Sequence, residues 1–271
     1  MRTLDNASPC RDLIFFDSHC HLNDEEFATD ADEVLVRARA AGVEEMLVAG
    51  YDLSSSQQAM KLATDHPGVY AAVGVHPHDA KTVTPAVLRE VEKMLDREEV
   101  VALGEIGLDF HYDYSPREAQ KAVFRSFLEL AKKKDKPVII HDREAHGETL
   151  AILEEVAALH GGGFCGVMHC YAASPEMLPA FLTLGFYISV AGPLTFKNTK
   201  RLPEVVSLVP EDRLLIETDS PYLTPCPYRG RRNEPMYVKE VARRVAEIWG
   251  KNIREVAEVT RNNARRCFRI N

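Results

Sequence analysis

Short runs of apolar, often β-branched residues recur along this chain. Between them lie longer stretches in which apolar positions return every three or four residues. The first pattern predicts strands and the second predicts helices. Strands are expected at 13–17, 46–49, 70–75, 100–104, 138–141, 166–169, 186–189 and 214–218. A helix over 33–41 places Val34, Leu35 and Ala38 on one side and stops at Gly42. Thr84-Pro85 opens another, with Leu88, Val91 and Leu95 in a stripe. Ser115-Pro116-Arg117-Glu118 predicts a capping box with proline at the first helical position. Val123, Phe124, Phe127, Leu128 and Ala131 then mark the core-facing side. Ser174-Pro175 opens a further helix, and helices over 236–249 and 253–268 end the sequence.

Alternating strands and helices imply a parallel sheet covered on both faces. Eight strands is the number that closes a (β/α)8 TIM barrel of the α/β class. The alternative is an open doubly wound sheet. That arrangement favours a glycine-rich nucleotide turn after the first strand, and neither G-x-G-x-x-G nor a P-loop occurs here. No repeat, low-complexity tract or linker divides the chain. A single domain over 1–271 is expected, with residues 1–12 as an N-terminal extension.

The polar residues that follow these strands share a chemistry. His19 and His21 follow the first, Glu105 the fourth, His141 the fifth, His169 the sixth and Asp219 the eighth. In a (β/α)8 barrel all these ends open at one mouth, where active sites are built. Any one of them alone reads as an ordinary polar residue; five strands of eight ending this way is a pattern. Four imidazoles and two carboxylates suit Zn²⁺, Mn²⁺, Fe²⁺ or Ni²⁺ without thiolates. Six ligands exceed one tetrahedral ion and suit two, with one carboxylate bridging. Such a pair activates water against a phosphate or a carbonyl. Cys20, between the two histidines, is expected to face the core.

Composition narrows the context. The chain has 271 residues, 45% hydrophobic and 27% charged, with a net charge of -8. An acidic protein does not coat nucleic acid with its whole surface, so any such contact must be local. Six scattered cysteines (Cys10, Cys20, Cys165, Cys170, Cys226, Cys267) form no C-x-x-C pair and read as reduced thiols. The N-terminus lacks the apolar stretch of a signal peptide, and no apolar run is long enough for a bilayer. The expected setting is the cytoplasm, with no membrane contact and no obligate protein partner.

Five blocks carry a resemblance: "FFDSHCHLND", "VGVHPHDA", "ALGEIGLDFHY", "KPVIIHDREA" and "IETDSPYLTP" followed by "RGRRNEP". In this order they resemble the TatD family of metal-dependent hydrolases, among the amidohydrolase-like metallo-barrels. The likeness runs from about Ile14 to Phe268. It implies that His19, His21 and Asp219 bind one divalent ion, that His141 and His169 bind a second, and that Glu105 bridges the two. The ions would be zinc in a structure, with magnesium or manganese possible in function. The resemblance also implies that Asp219 orients or deprotonates the attacking water, with Glu105 the other catalytic carboxylate. The implied activity is phosphodiester hydrolysis: a deoxyribonuclease, in some members a 3′ exonuclease, with DNA or another phosphodiester as substrate. The same metals would equally serve an amidohydrolase or lactonase acting on a small carbonyl compound. Cys170-Tyr171-Ala172-Ala173 departs from the family's usual Cys-Phe-Ser-Gly and bears on the pocket wall.

Other residues divide between substrate contacts and structure. His76, in "GVHPH", and Arg143, two after His141, are candidates for substrate phosphate. Arg229 and Arg231, with Arg232, form a basic cluster in the loop after the last strand. Asp109, His111 and Tyr112 are candidates to line the pocket or, equally, to pack the loop, while His66, His146 and His160 read as surface. Asp17 is expected to accept an imidazole N–H.

Overall fold

The computed structural model describes residues 13–271; the expected extension at 1–12 lies outside them. Eight parallel strands follow chain order around one sheet: β1 (Phe15–Cys20), β2 (Val43–Ala49), β3 (Val69–Val73), β4 (Val100–Asp109), β5 (Val138–Arg143), β6 (Gly166–Met168), β7 (Phe186–Val190) and β8 (Leu214–Ile216). The crossover helices are α1 (Ala31–Ala40), α2 (Leu53–Asp65), α3 (Pro85–Met94), α4 (Arg117–Lys134), α5 (His146–Leu159), α6 (Leu178–Thr183) and α7 (Arg201–Leu208). Two more, α8 (Val238–Trp249) and α9 (Ile253–Phe268), follow β8. This is the expected (β/α)8 barrel, as a single domain.

Two apolar layers explain why the strands read as continuous hydrophobic runs. Phe16, Leu47, Ala72, Ala102, Ile139, Val167, Tyr187 and Leu215, one from each strand, fill the barrel interior. Phe268 of α9 packs beneath them, its ring 6.3 Å from that of Phe16. The alternate residues, such as Val48, Ala71, Leu103 and Ile140, pack outward against the helices. Burial on both faces is the signature of a parallel sheet.

Between β8 and β1 the barrel closes without a regular ladder. The N–H of Asp219 donates to the His19 carbonyl at 2.9 Å, and that of His21 to the Ser220 carbonyl at 2.8 Å. The Asp17 carboxylate accepts from the N–H and the hydroxyl of Thr218 at 2.8 and 2.5 Å. Asp17 therefore staples the seam, and the expectation that it accepts an imidazole N–H is corrected. Its nearby contact to His19 is with the backbone N–H, at 3.4 Å.

Two further expectations are corrected. β4 does not stop at 104 but runs on to Asp109, paired with β5 through Gly107–His141 and Asp109–Arg143. Its register slips between Leu103 and Ile106, so Glu105 sits in a bulge, a device that re-aims a side chain. The capping box at Ser115 does not form, because Pro116 holds the N-cap position of α4. The Ser115 hydroxyl instead donates to the His78 carbonyl at 2.6 Å and accepts from the Lys81 N–H at 3.1 Å. It ties two mouth loops together.

All five cysteines among the described residues are free. Cys20 is buried, with its thiol against the Leu47 carbonyl. No helix among the described residues is long and apolar enough to cross a membrane.

Candidate metal centre

Six predicted ligands meet at the strand ends. His19 and His21 come from β1 and the residue after it, Glu105 from the bulge in β4, and His141 from β5. His169 and Asp219 follow β6 and β8. Asp219 adopts φ +55°, an uncommon left-handed conformation for a non-glycine residue, and this turns its carboxylate back over the mouth.

The Glu105 carboxylate stands in the middle. Its Oε2 is 3.5 Å from His19 Nε2 and 3.6 Å from His21 Nε2. Its Oε1 is 2.7 Å from His141 Nδ1 and 3.0 Å from His169 Nε2. Asp219 Oδ1 lies 3.7 and 3.4 Å from the same two nitrogens of His19 and His21. The two oxygens of one carboxylate thus face two separate groups of imidazoles.

The outer nitrogens show why a cation fits. His21 Nδ1 faces the Ala49 carbonyl at 3.0 Å. His141 Nε2 faces Asp109 Oδ2 at 3.2 Å, and His169 Nδ1 faces Glu217 Oε1 at 3.2 Å. An acceptor outside holds one proton there. Against burial, Glu105 raises the His169 pKa well above the usual range, and Asp219 and Asp109 raise those of His21 and His141. A cation in place of the second, inner proton would leave each ring neutral with its lone pair inward. The inner nitrogens meet carboxylate oxygens and one another; His19 Nε2 and His21 Nε2 are 3.1 Å apart. A cation resolves this arrangement. Zinc bonds of roughly 2.0–2.1 Å imply ligand atoms roughly 3.3 Å apart around a tetrahedron, and these separations bracket that value. His19–His21–Glu105, His19–His169–Asp219 and His76–Glu105–His141 each bring three ligand atoms within 4.8 Å of one another.

The electrostatics keep the carboxylates charged. Burial pushes the Glu105 carboxyl upward, but His169 and the hydrogen-bonding His141 outweigh it and hold it well below the usual range. Asp219 is likewise pushed up by burial and held below its usual range by His21, His169 and His19. Asp219 and His141 remain partly open, at 14% and 16% side-chain exposure, while His19 is closed at 0%. The cluster is therefore buried on the barrel side and accessible from the mouth.

His76 belongs to the same group. Its Nε2 lies 3.7 Å from Glu105 Oε1, and its Nδ1 accepts the N–H of His78 at 3.2 Å. The neutral ring therefore carries its proton on Nε2, aimed at the centre. Burial and the neighbouring His141 lower its pKa well below the usual range, so it stays a neutral donor.

Two supporting carboxylates were not singled out as such in the sequence. Glu217 is fully buried behind His169, two residues before Asp219. A carboxylate at the end of so apolar a strand was the available signal. Asp109 was read as pocket lining or loop packing. It is a hub, accepting from the N–H groups of His111 and Tyr112 and lying 2.9 Å from His78 Nε2.

The arginines separate. Arg143 is exposed, with its guanidinium 4.8 Å above the Tyr112 ring. Arg229 is exposed, lies over Phe196 at 4.0 Å and donates to the Thr224 carbonyl. Arg231 is exposed beside Tyr228, 6.0 Å from its ring centre. Arg232 is instead engaged with Asp30, Glu234 and the Glu26 carbonyl. His160 is exposed and His66 half-buried. His146, expected at the surface, is half-buried beside Asp142, 2.9 Å away.

A family model described as "TatD related DNase" matches residues 16–269. The chain belongs to the TatD family. It is 46% identical to the uncharacterized metal-dependent hydrolase YabD of Bacillus subtilis, over 95% of this chain and 100% of that one. It is 36% identical to the 3'-5' ssDNA/RNA exonuclease TatD of Salmonella typhimurium, over 94% and 99%. Among solved structures, the TatD homologue YjjV of Escherichia coli superimposes with a TM-score of 0.87 at 30% identity, covering 95% of this chain and 98% of that one. The chain is thus a TatD-family metal-dependent hydrolase, and the barrel-mouth cluster is its candidate metal site.

Proposed function

We propose that this chain is a divalent-metal-dependent phosphodiesterase that hydrolyses DNA or another nucleic-acid strand, with 3′ exonuclease action the specific form. The observation that carries the reading is the inward convergence of imidazole nitrogens on two carboxylates at an open barrel mouth.

In this reading His19, His21 and Asp219 would hold one divalent ion, His141 and His169 would hold a second, and Glu105 would be shared between them. Zinc, manganese or magnesium suits the donors. Bound there, the ions would lower the pKa of a water and neutralise charge on a phosphate. The Asp219 carboxylate, partly open and ionised, orients the attacking water and takes its proton. His76 donates from Nε2 to a phosphate oxygen. Arg143 reaches a phosphate beside the one cut, and Arg229 and Arg231 form a positive rim for the strand beyond. The buried side of the cluster excludes bulk water, which strengthens each of these contacts.

The test is hydrolysis of end-labelled single- and double-stranded oligonucleotides, with and without chelator, beside a panel of lactones and amides. Metal-dependent shortening from the 3′ end is the expected result. Turnover of lactones or amides with inert oligonucleotides would overturn it and favour an amidohydrolase or lactonase.

A further inference from the structure

Large apolar side chains are rarely left open on this molecule. Among the described residues the exposed ones are Ile14, Val36, Tyr112, Tyr114, Leu159, Leu208 and Tyr222. The three tyrosines lie on loops that follow β4 and β8, at the mouth. Tyr112 and Tyr114 form a pair. Their rings stack at 5.2 Å with planes 17° apart, and they are 45% and 58% exposed. Solvent-exposed stacked aromatics forgo burial that a packed loop would supply, so their placement calls for a ligand.

The pair is tied to the metal centre through His78. That ring stands edge-on to both tyrosines, 5.4 Å from Tyr112 and 4.8 Å from Tyr114. Asp109 holds His78 at 2.9 Å and His141 at 3.2 Å through the same oxygen. The aromatic pair therefore sits beside a proposed metal ligand on a shared support.

Charge distinguishes this side of the mouth from the other. Arg143 lies over Tyr112 and makes no ion pair among the described residues; of the adjacent carboxylates, Glu144 is engaged with His111 at 2.7 Å and Asp142 lies beside His146 at 2.9 Å. Asp113, the other nearby carboxylate, is held by Arg117. On the opposite side Tyr222 donates to Asp24, and the adjoining pocket is lined by Asp24, Glu25 and Asp52. A polyanionic strand is repelled from that acidic pocket and attracted toward Arg143.

We propose that Tyr112 and Tyr114, with Arg143, form a stacking platform for an unpaired nucleobase next to the phosphodiester that is cut. Every base offers a π-face, so aromatic platforms hold single strands with little regard to sequence. In a duplex both faces of a base are covered by its neighbours, so the platform selects single-stranded ends or frayed ones. The guanidinium stacks with the same aromatic group and contacts the adjoining phosphate. This rests on the phosphodiesterase reading and names the subsite that gives it strand preference.

The test compares wild type, Tyr114→Ala and Tyr114→Phe, each metal-loaded, on a single-stranded oligonucleotide and on the same oligonucleotide with abasic residues at its 3′ end. Wild type and Tyr114→Phe are expected to favour the base-bearing strand in kcat/KM by roughly fivefold or more, carried mainly by KM. In Tyr114→Ala that ratio falls toward one. Because Tyr114 is exposed, a matching melting temperature shows that the variant is folded. A ratio unchanged by the alanine overturns the platform while leaving the phosphodiesterase standing. If wild type cleaves no phosphodiester, the phosphodiesterase reading fails instead. Fluorescence anisotropy of a labelled oligonucleotide then judges the platform: binding weakened several-fold in Tyr114→Ala supports it, and binding that is absent or unaltered overturns it.

Discussion

The buried carboxylate of Glu217 lies 3.2 Å, through Oε1, from Nδ1 of His169, and the same oxygen accepts the N–H of Cys170 at 2.7 Å. The second bond fixes the carboxylate, which in turn fixes the tautomer and the tilt of the ring. Glu217→Gln keeps the shape and removes the charge. We expect metal affinity to fall by about 10- to 100-fold, read by competition with a chromogenic chelator. Unchanged affinity would show that the pair serves packing alone.

Glu105 and Asp219 are expected to fail differently. Glu105→Ala removes the one carboxylate that faces both imidazole groups, so both activity and bound metal should be lost. Asp219→Ala leaves His141, His169 and Glu105 in place, so activity should fall by more than roughly 100-fold, the scale of a positioned acid–base group, with part of the metal retained. Elemental analysis of the two variants beside a hydrolysis assay separates them. Equal metal content in both would contradict the bridging role.

Chelation should destabilise the fold as well as silence it. A ligand that binds only the native state adds stability in proportion to its excess over Kd, about 2.7 kcal/mol at a hundredfold excess. Differential scanning calorimetry with excess chelator should show a lower Tm that is restored by added divalent metal. A Tm indifferent to both would mean that no such ion is held.

Gly107 approaches the His141 carbonyl so closely that a Cβ would collide with that backbone, and its φ is +144°. Gly107→Ala therefore pushes β4 from β5 beside Glu105. The expected cost is more than about 1 kcal/mol, measured by denaturant unfolding, together with lost metal binding. Wild-type stability would mean that the strands part without cost.

Asp30 gives a test by pH. Its carboxylate takes a two-pronged contact from Arg232, at 2.6 and 2.9 Å, and a third from Arg37 at 3.2 Å. These, Arg232 foremost, hold its pKa below the usual range. A carboxyl depressed in the folded state contributes stability above its unfolded pKa of about 3.9. That contribution is lost as pH falls through the folded pKa. Asp30→Asn should therefore lower Tm near pH 7, with the gap from wild type closing below about pH 4. A constant gap across that range would exclude the ion pair as its cause.

Much of the barrel was legible because burial on two faces writes itself as apolar runs, and each of the eight expected strands has a counterpart. The misses have particular causes. Ser115 has the side chain of a capping residue, but a tertiary contact with the loop of His78 outcompeted the local one. Asp17 was assigned to an imidazole because it sits near two, whereas Thr218, 201 positions away, claims it at the seam. Glu105 was expected after its strand and proved to lie in a bulge within it, a two-strand register effect that one strand's pattern does not carry.

The sequence by itself determined the alternation that closes the barrel and the donor types at the strand ends, since both follow from residue identity and local period. The tertiary structure alone decided which nitrogen of His21, His141 and His169 faces inward. That choice depends on acceptors brought from elsewhere: Ala49 for His21, Asp109 for His141, Glu217 for His169. A hydrogen bond is set by distance and direction in space, and only closure of the barrel brings Asp219 within 3.4 Å of His21.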